Sequence, residues 1–348
     1  MGRTLIAAVL LVLVTACTAP PPVSSASSAP PSVATERPSL TPPAPTGSTS
    51  AATPIPMPSF AQLSAPSSNV VWALVAGSRL FRSIDRGVTW EERFAWLGPC
   101  CPSREVAFIS ESEGWLASPG VPGTQCSFQP VGIAHTVDAG MTWDQFFVPA
   151  PPVAVDPSGL ANRQCKGGLL FSDSRHGFLS AWDPNSPPVI HRTVDGGRTW
   201  SASRPLPDPP DFTAVPSGVV LRADRVRAFG ATLLVFARTS DLRDSYVFRS
   251  LDGGASWNYL ATVPQAGGAF AFVSASRWLL ITLPASSHET TDSGKTWHAF
   301  TTDYTQAAGV APEIVFADEF VGYATVRGGI QRTVDGGAHW TLIRTPGT

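Results

Sequence analysis

The sequence has few charged residues and no excess of either sign. Of its 348 residues, 24 are Lys or Arg and 26 are Asp or Glu, which gives a formal net charge of −2. A chain without a basic excess cannot neutralise a run of phosphates, so we expect no nucleic-acid partner. Only 14% of the residues are charged, whereas 43% are hydrophobic, which is enough to bury a core and excludes a chain disordered throughout.

The chain is rich in residues that interrupt helices and has few strong helix formers. The chain contains 30 Gly and 34 Pro, and both are poorly tolerated in helix interiors. This composition argues against a helix-rich fold and favours short strands joined by turns.

The first residues have the pattern of an export signal. Arg3 precedes an apolar run from Leu5 to Val14, about half the length needed to span a bilayer as a helix. A basic residue followed by a short apolar run is typical of a secretory signal. We therefore expect residues 1–16 to be a signal peptide.

The apolar run ends in Val14-Thr15-Ala16-Cys17. This segment resembles the lipobox of bacterial lipoproteins, in which the Cys thiol receives a diacylglycerol and the signal is cut before it. The resemblance implies that Cys17 is the lipidated first residue of the mature protein, held at the cell membrane on its extracytoplasmic side. The alternative is an ordinary secreted protein cut after Ala16.

Residues 17–58 predict a tether rather than a domain. Residues 18–58 contain 12 Pro among many Ala, Ser and Thr, with Glu36 and Arg37 as the only charges. Such a segment shows no hydrophobic period and is typical of flexible and polyproline II linkers. We place the folded domain at residues 59–348.

One short pattern returns six times in that domain. Its first copy is Ser83-Ile-Asp85-Arg-Gly87-Val-Thr89-Trp90, and each later copy keeps the Asp, the Gly and the Trp. The last copy departs from the others because His339 stands where Thr or Ser is expected. The six acidic positions are Asp85, Asp138, Asp195, Asp252, Asp292 and Asp335.

The residue types of the pattern predict a β-hairpin turn. An Asp side chain accepts from backbone N–H groups a few residues on, and Gly adopts a positive φ at no steric cost. The Thr or Ser then begins the outgoing strand, and the Trp packs over the hairpin. We therefore interpret the six Asp residues as turn formers, because identical motifs on successive units do not converge on one site.

The repeated pattern resembles the Asp-box, or bacterial neuraminidase repeat. Apolar runs and an aromatic residue precede most copies, so each unit predicts a four-stranded antiparallel meander. Repetition of such a unit every 40–57 residues predicts an all-β fold, a six-bladed β-propeller with Asp-box hairpins. Phe60 to Leu63 would lie in the innermost strand of blade 1 and Thr341 to Ile343 in the outermost strand of blade 6. A seven-bladed propeller is the alternative, with a degenerate blade within residues 205–230.

Similar propellers include sialidases, photosystem II assembly factors and receptors, so the resemblance implies several functions. Sialidases use an arginine triad, a Tyr nucleophile and an Arg-Ile-Pro signature that is absent here. Of the four Tyr, Tyr304 is the only one in a connection that could face the channel. Arg222, Arg225 and Arg227 lie where blade 4 begins and form a candidate anion site, with a solvated strand end as the alternative.

Histidine and cysteine lead to different expectations. His135, His191 and His288 occupy equivalent strands of different blades, so we expect no metal site. Four Cys remain after Cys17, and an even number in an exported chain implies disulfides. The spacing places them on the connections opposite the Asp-box turns, where two bridges would join the loops of blade 2: Cys100, Cys101, Cys126 and Cys165. Three pairings are open.

These observations favour a non-catalytic binding or scaffold protein of the cell envelope, anchored by lipid. We expect a monomer without a cofactor. The face opposite the Asp-box turns, called the loop face because the connections between blades leave it, would bind a protein or a glycan. The first alternative is a sialidase-like glycoside hydrolase. The second is an assembly or stability factor for a membrane complex.

Overall fold

The fold was analysed in a computed structural model. The structure describes residues 61–96, 105–118, 131–148, 160, 164–184, 186–210, 212, 219–264, 268–282, 286–304, 312–326 and 329–343. These residues belong to one compact unit, Ala51–Thr348. The predicted signal peptide, Cys17 and the tether lie outside them, so their assignment stays a prediction.

Three sheets of four strands each form the first half of the domain. Blade 1 contains β1 (Ala61–Ser64), β2 (Val71–Val75), β3 (Arg79–Ser83) and β4 (Glu91–Arg93). Blade 2 contains β5 (Glu105–Phe108), β6 (Gly114–Ser118), β7 (Val131–Thr136) and β8 (Asp144–Val148). Blade 3 contains β9 (Cys165–Phe171), β10 (Gly177–Asp183), β11 (Ser186–Thr193) and β12 (Ser201–Ala202).

Three further sheets complete the domain. Blade 4 contains β13 (Leu221–Ala223), β14 (Arg227–Phe229), β15 (Thr232–Thr239), β16 (Ser245–Ser250) and β17 (Asn258–Thr262). Blade 5 contains β18 (Ala269–Phe272), β19 (Trp278–Ile281), β20 (His288–Thr290) and β21 (His298–Ala299). Blade 6 contains β22 (Ile314–Phe316), β23 (Gly322–Val326), β24 (Gly329–Thr333) and β25 (Thr341–Ile343).

Each sheet is an antiparallel meander whose strands pair in chain order. The first strand of each blade lies innermost, since β1 contacts both β5 and β22 and β5 contacts β9. The prediction of an all-β, six-bladed propeller with Asp-box hairpins is confirmed. Within the described ranges there is no α-helix, and therefore none long and apolar enough to cross a membrane.

Blade 6 packs directly against blade 1 and closes the ring. The Tyr323 hydroxyl donates to the Ser68 carbonyl at 3.2 Å, and the Arg332 guanidinium donates to the Arg86 carbonyl at 2.9 Å. One buried apolar cluster contains side chains from both blades, among them Leu63 and Ile330. Closure therefore rests on side-chain contacts, because no strand is shared between the first and last sheets.

The seven-bladed alternative is wrong, because the described part of residues 205–230 forms no separate sheet. Their strands β13 and β14 are two pieces of the innermost strand of blade 4, and both pair with the long strand β15. The strand breaks at Asp224 to Val226, where the Asp224 N–H still donates to the Phe236 carbonyl at 2.8 Å. This break brings Arg225 to the centre of the propeller.

Aromatic stacking between neighbouring blades explains why glycine precedes the repeated aromatic residue. Trp72 of β2 stacks on Phe108 of β5 with ring centroids 3.6 Å apart, and Trp115 of β6 stacks on Phe171 of β9 at 3.8 Å. The Phe108 ring lies over Gly114 on the paired strand, where a Cβ would come within 2.3 Å of the ring. Glycine at this position leaves room for the ring and so lets adjacent blades interlock.

Candidate functional site

Each Asp-box carboxylate closes its own turn. In the first box the Asp85 carboxylate accepts from the Thr89 N–H at 2.8 Å and from the Thr89 hydroxyl at 2.6 Å. The Ser83 hydroxyl donates to Asp85 at 2.8 Å and accepts from the Gly87 N–H at 2.7 Å. The other five boxes repeat this network, with His339 in place of the hydroxyl donor in the last. The carboxylates are thus engaged within their own turns, as the turn-former interpretation requires.

Two consecutive residues of each box have positive φ, and only one of them was expected. Gly87 has φ 81° and Arg86 before it has φ 63°; in the third box Gly196 and Gly197 have φ 76° and 101°. The left-handed conformation of the first of these residues explains why three boxes carry two glycines in succession. The Gly-Gly pairs were a signal for it in the sequence.

The hydrogen bonds of the box also determine how its carboxylate titrates. The pKa of Asp138 falls to about 2, chiefly because the Thr142 hydroxyl and the Thr142 N–H donate to the ionised form. The pKa of Asp292 falls to about 2 through the same donors of Thr296. These groups stay ionised at any physiological pH, which excludes them as general acids.

The three histidines lie in three different blades, as expected. His135 stacks on Trp115 at 4.4 Å, and its Nε2 lies 3.1 Å from a Glu113 oxygen. His191 is buried beside Gln164, and burial lowers its pKa to about 4. No group of three or more metal-ligating side chains occurs among the residues that the structure describes.

The centre of the propeller holds a buried cluster of charges around Arg225. Its guanidinium lies 2.8 Å from a Glu313 oxygen of blade 6 and 3.4 Å from a Glu105 oxygen of blade 2. It also donates to the Leu63 carbonyl at 3.2 Å and to the Gln62 side chain at 3.2 Å, both in blade 1. The side chains of Arg225 and Glu105 are about nine-tenths buried. One arginine of blade 4 therefore links three other blades across the channel.

The backbone at the strand break fits against a glycine of blade 3. A Cβ at Gly168 would lie 2.8 Å from the Arg225 Cα and 2.9 Å from its amide nitrogen. Gly168 also has φ 70°, a conformation that other residues adopt at a cost. Blade 3 thus accepts the break in blade 4 only because this position has no side chain.

Glu105 is the carboxylate whose titration this cluster changes most. Burial raises the pKa of Glu105, although the charge of Arg225 acts in the opposite direction. Its oxygens also accept a backbone hydrogen bond from Leu169 of blade 3 at 3.2 Å. The cluster surrounds a cavity of about 150 Å³ on the loop side of the channel.

The structure brings two of the three arginines of the candidate anion site, Arg225 and Arg227, to the channel and leaves Arg222 outside it. Arg225 is held by Glu105 and Glu313, as above. Arg222 is exposed and stacks over the Trp182 ring, with its guanidinium carbon 4.0 Å from the centroid. Arg227 lines the central channel. An anion site formed by all three is therefore not assembled, although binding by Arg227 stays a prediction.

The prediction that Tyr304 faces the channel is wrong. Tyr304 is buried between blades 5 and 6, where its hydroxyl donates to the Thr325 carbonyl at 2.9 Å and its ring packs on Trp340. The sequence places Tyr304 in the connection before β22, which alone does not decide whether the side chain faces the channel or packs between two blades. The Tyr259 hydroxyl lies 2.7 Å from the Thr262 hydroxyl, and Tyr246 is buried.

The cysteine prediction rests mainly on residues that the structure does not describe. Cys165 begins β9 and is disulfide-bonded, whereas Cys100, Cys101 and Cys126 lie outside the described residues. Cys165, the first residue of β9, lies at the end of blade 3 opposite the Asp-box turns. The pairing of the four cysteines stays a prediction.

Fold and motif together define the chain as a six-bladed Asp-box propeller. It matches no family model and no curated protein sequence. Among solved structures it is similar to the Hadza microbial sialidase Hz136, at 16% identity and a TM-score of 0.51, over 79% of this chain and 66% of that one.

Two further solved structures are of YCF48. The protein from Cyanidioschyzon merolae is 17% identical, with a TM-score of 0.47 over 84% of this chain and 88% of that one. A YCF48 bound to a D1 peptide is 18% identical, with a TM-score of 0.43 over 80% of this chain and 95% of that one. Identities this low show a similarity of fold alone, which does not determine function.

Proposed function

We propose that the chain is a lipid-anchored binding protein of the cell envelope, which contacts a protein or glycan through its loop face and does not catalyse a reaction. The observation that carries this proposal is the charge cluster of the channel. The Arg225 guanidinium is already bonded to Glu105 and Glu313, so its charge holds blades together. A catalytic arginine must instead be free to bind the substrate.

The tyrosines support the same proposal. A Tyr nucleophile needs a lowered pKa or an adjacent base. Here burial raises the pKa of Tyr304, and burial likewise raises the pKa of Tyr323 to about 12. Both hydroxyls donate to backbone carbonyls inside the fold. Tyr246 is also buried, and Tyr259 lies in the outermost strand of blade 4, so none of the four suits glycoside hydrolysis of the sialidase type.

The lengths of the connections favour the loop face as the contact surface. The Asp-box face is formed by short turns of nearly constant length, whereas the longer and more variable connections of blades 2 to 4 leave the opposite end. Long connections on a rigid scaffold are where binding residues concentrate. The disulfide-bonded Cys165 starts its strand at the same end.

A turnover assay tests the absence of catalysis. The purified full chain is incubated with a fluorogenic sialoside, beside an authentic sialidase as a positive control. The proposal predicts no release of fluorophore above the buffer blank. Release that a sialidase inhibitor abolishes would contradict it.

Membrane fractionation tests the anchor separately. The Cys17→Ala variant should leave the membrane fraction or accumulate unprocessed, because lipid attachment needs the Cys17 thiol. The matched control is Cys126→Ala, which keeps the lipobox and should stay membrane-bound. A Cys17→Ala protein that is processed normally and stays in the membrane would show that the anchor assignment is wrong.

A further inference from the structure

A second cavity lies at the Asp-box mouth of the channel, on the face opposite the one proposed to contact a partner. Its volume is about 410 Å³, within the range of about 300–1,000 Å³ that is usual for small-molecule sites. All six blades contribute an apolar side chain to its wall where their innermost strands end: Ala65, Phe108, Leu170, Phe229, Phe272 and Phe316. Polar side chains, among them Ser172 and Ser274, line the wall between them.

Arg227 lies at the inner end of this cavity. It lines both this cavity and the smaller one on the loop side, so its side chain lies between them in the channel. Unlike that of Arg225, its guanidinium forms no hydrogen bond or ion pair with any residue in the described ranges. Burial and the neighbouring charge of Arg225 lower the pKa of Arg227 to about 10, although the charges of Glu313 and Asp224 act in the opposite direction. A bound anion would offset both effects.

The protein's own carboxylates do not provide that anion. Glu313 is paired with Arg225 at 2.8 Å, and Asp224 lies 3.6 Å from Arg238. At the rim of the cavity, Asp318 accepts the backbone N–H groups of Phe320 and Val321. Glu319, also at the rim, is exposed to solvent. The cavity therefore combines a guanidinium without an ion-pair partner at its inner end with an apolar side chain from each of the six blades.

We propose that this cavity binds a small carboxylate with an apolar body, whose carboxylate pairs with Arg227 and whose body packs against Phe229, Phe272 and Phe316. A guanidinium presents two parallel N–H donors that match the two oxygens of a carboxylate. The phenylalanine rings remove the apolar body from water, and a half-buried setting strengthens the ion pair. The site is independent of the loop face, so either proposal can fail without the other.

The test compares three probes of one shape on the purified full chain by isothermal titration calorimetry. The probes are 4-phenylbutyrate, the neutral 4-phenylbutan-1-ol and the cationic 4-phenylbutylamine. The acid should bind, and the alcohol and the amine should bind at least tenfold more weakly. Equal affinity of acid and alcohol, or no binding of the acid at millimolar concentration, would overturn the proposal without any need for a variant.

Variants locate the site. Arg227→Gln should weaken binding of the acid at least tenfold, whereas Arg249→Gln, an exposed arginine of the same blade, should leave it unchanged. Phe229→Ala should weaken the binding of the acid and of the alcohol by the same factor. Arg227→Gln should also unfold at the same temperature as the parent or a higher one, because it removes an unpaired buried charge. Unchanged binding by Arg227→Gln, or a marked loss of its stability, would assign Arg227 a structural role instead.

Discussion

The carboxylate and the tryptophan of each Asp-box have different structural roles. The carboxylate fixes the turn, as Asp195 does by accepting the Thr199 hydroxyl at 2.6 Å and the Thr199 N–H at 2.9 Å. The tryptophan packs the turn on the core, and Trp200 also donates its indole N–H to the Gly197 carbonyl at 2.9 Å. Trp200 is only 4% exposed. The indole therefore contributes more to stability than the carboxylate does.

Replacing Trp200 with Ala should lower the free energy of unfolding by about 3–5 kcal/mol, the usual effect of truncating a buried aromatic residue. Trp297 is the matched control, since it is the corresponding residue of blade 5 but is only half-buried and its indole nitrogen has no partner in the described ranges. Trp297→Ala should cost less. Chemical denaturation of both variants measures the difference, and an equal loss would contradict the packing role.

The last box is predicted to respond to pH near neutrality because it contains His339. Its Nδ1 lies 2.6 Å from an Asp335 oxygen, and this hydrogen bond, with the charge of Asp335, raises the pKa of His339 above 6.5. A raised pKa in the folded state means that the stabilisation is complete below about pH 6.5 and is lost as the pH rises through the folded value.

An NMR titration of His339 should therefore give a pKa above 6.5, and Asp335→Asn should return it towards 6.5. His339→Thr restores the hydroxyl donor that the other boxes have. The parent protein should lose thermal stability as the pH rises and His339 loses its proton, whereas the thermal midpoint of His339→Thr should not fall over the same pH range. A His339 pKa at or below 6.5 would be inconsistent with the hydrogen bond.

At the scale of the strands, the break in the innermost strand of blade 4 is the feature that the sequence did not reveal. The meanders, their number and the terminal strands of blades 1 and 6 followed from the six repeats, because each repeat has its own turn signal. The break between β13 and β14 has no such signal, and its partners lie far away in the chain. Glu105 and Glu313 are separated from Arg225 by 120 and 88 residues.

Contacts between residues far apart in the sequence also explain why the structure differs from the expectations for Tyr304 and for the three arginines. Tyr304 lies before β22 in sequence, yet its position is decided by packing on Trp340, which only the folded blade brings close. Arg222, Arg225 and Arg227 are neighbours in sequence, but Arg222 stacks on an aromatic ring outside the channel. Arg225 and Arg227 both reach the channel, where Arg225 is bonded to two carboxylates. Proximity in sequence thus predicted a shared site that the backbone geometry divides.

The Arg225 cluster should behave as one unit. Arg225→Met should destabilise the propeller by about 3–5 kcal/mol, because Glu105 and Glu313 are then left buried without a partner. Exposed Arg249 in the same blade is the control, and Arg249→Met should have little effect. Adding Glu105→Gln and Glu313→Gln to Arg225→Met should recover much of the loss, as measured by chemical denaturation.

The loss in Arg225→Met should also depend on pH. Burial raises the pKa of Glu105 and Arg225 opposes that effect, so without the guanidinium Glu105 takes up a proton more readily in the folded state than in the unfolded chain. A raised carboxylate pKa stabilises the fold at low pH, so the variant should gain stability relative to the parent as the pH falls from 7 to 5. A constant difference between the two proteins over that range would contradict the cluster as described.

For the whole molecule, we propose different roles for the two faces of one rigid ring. The Asp-box face has short turns that close on themselves, with a small-molecule cavity at its centre. The opposite face carries the long connections and is proposed to meet the partner. Because the blades interlock through stacked aromatic rings and the Arg225 cluster, we expect the faces to act without large changes in shape.

Site-specific photo-crosslinking of the lipid-anchored chain in its native membrane tests this assignment most directly. A benzophenone amino acid is placed at Ser78 or Arg243, exposed turn residues of the loop face, and at Val137 or Phe320, exposed residues of the Asp-box face. The account predicts that both loop-face positions capture the same partner and that neither Asp-box position does. Capture of that partner only from Val137 and Phe320 would contradict it.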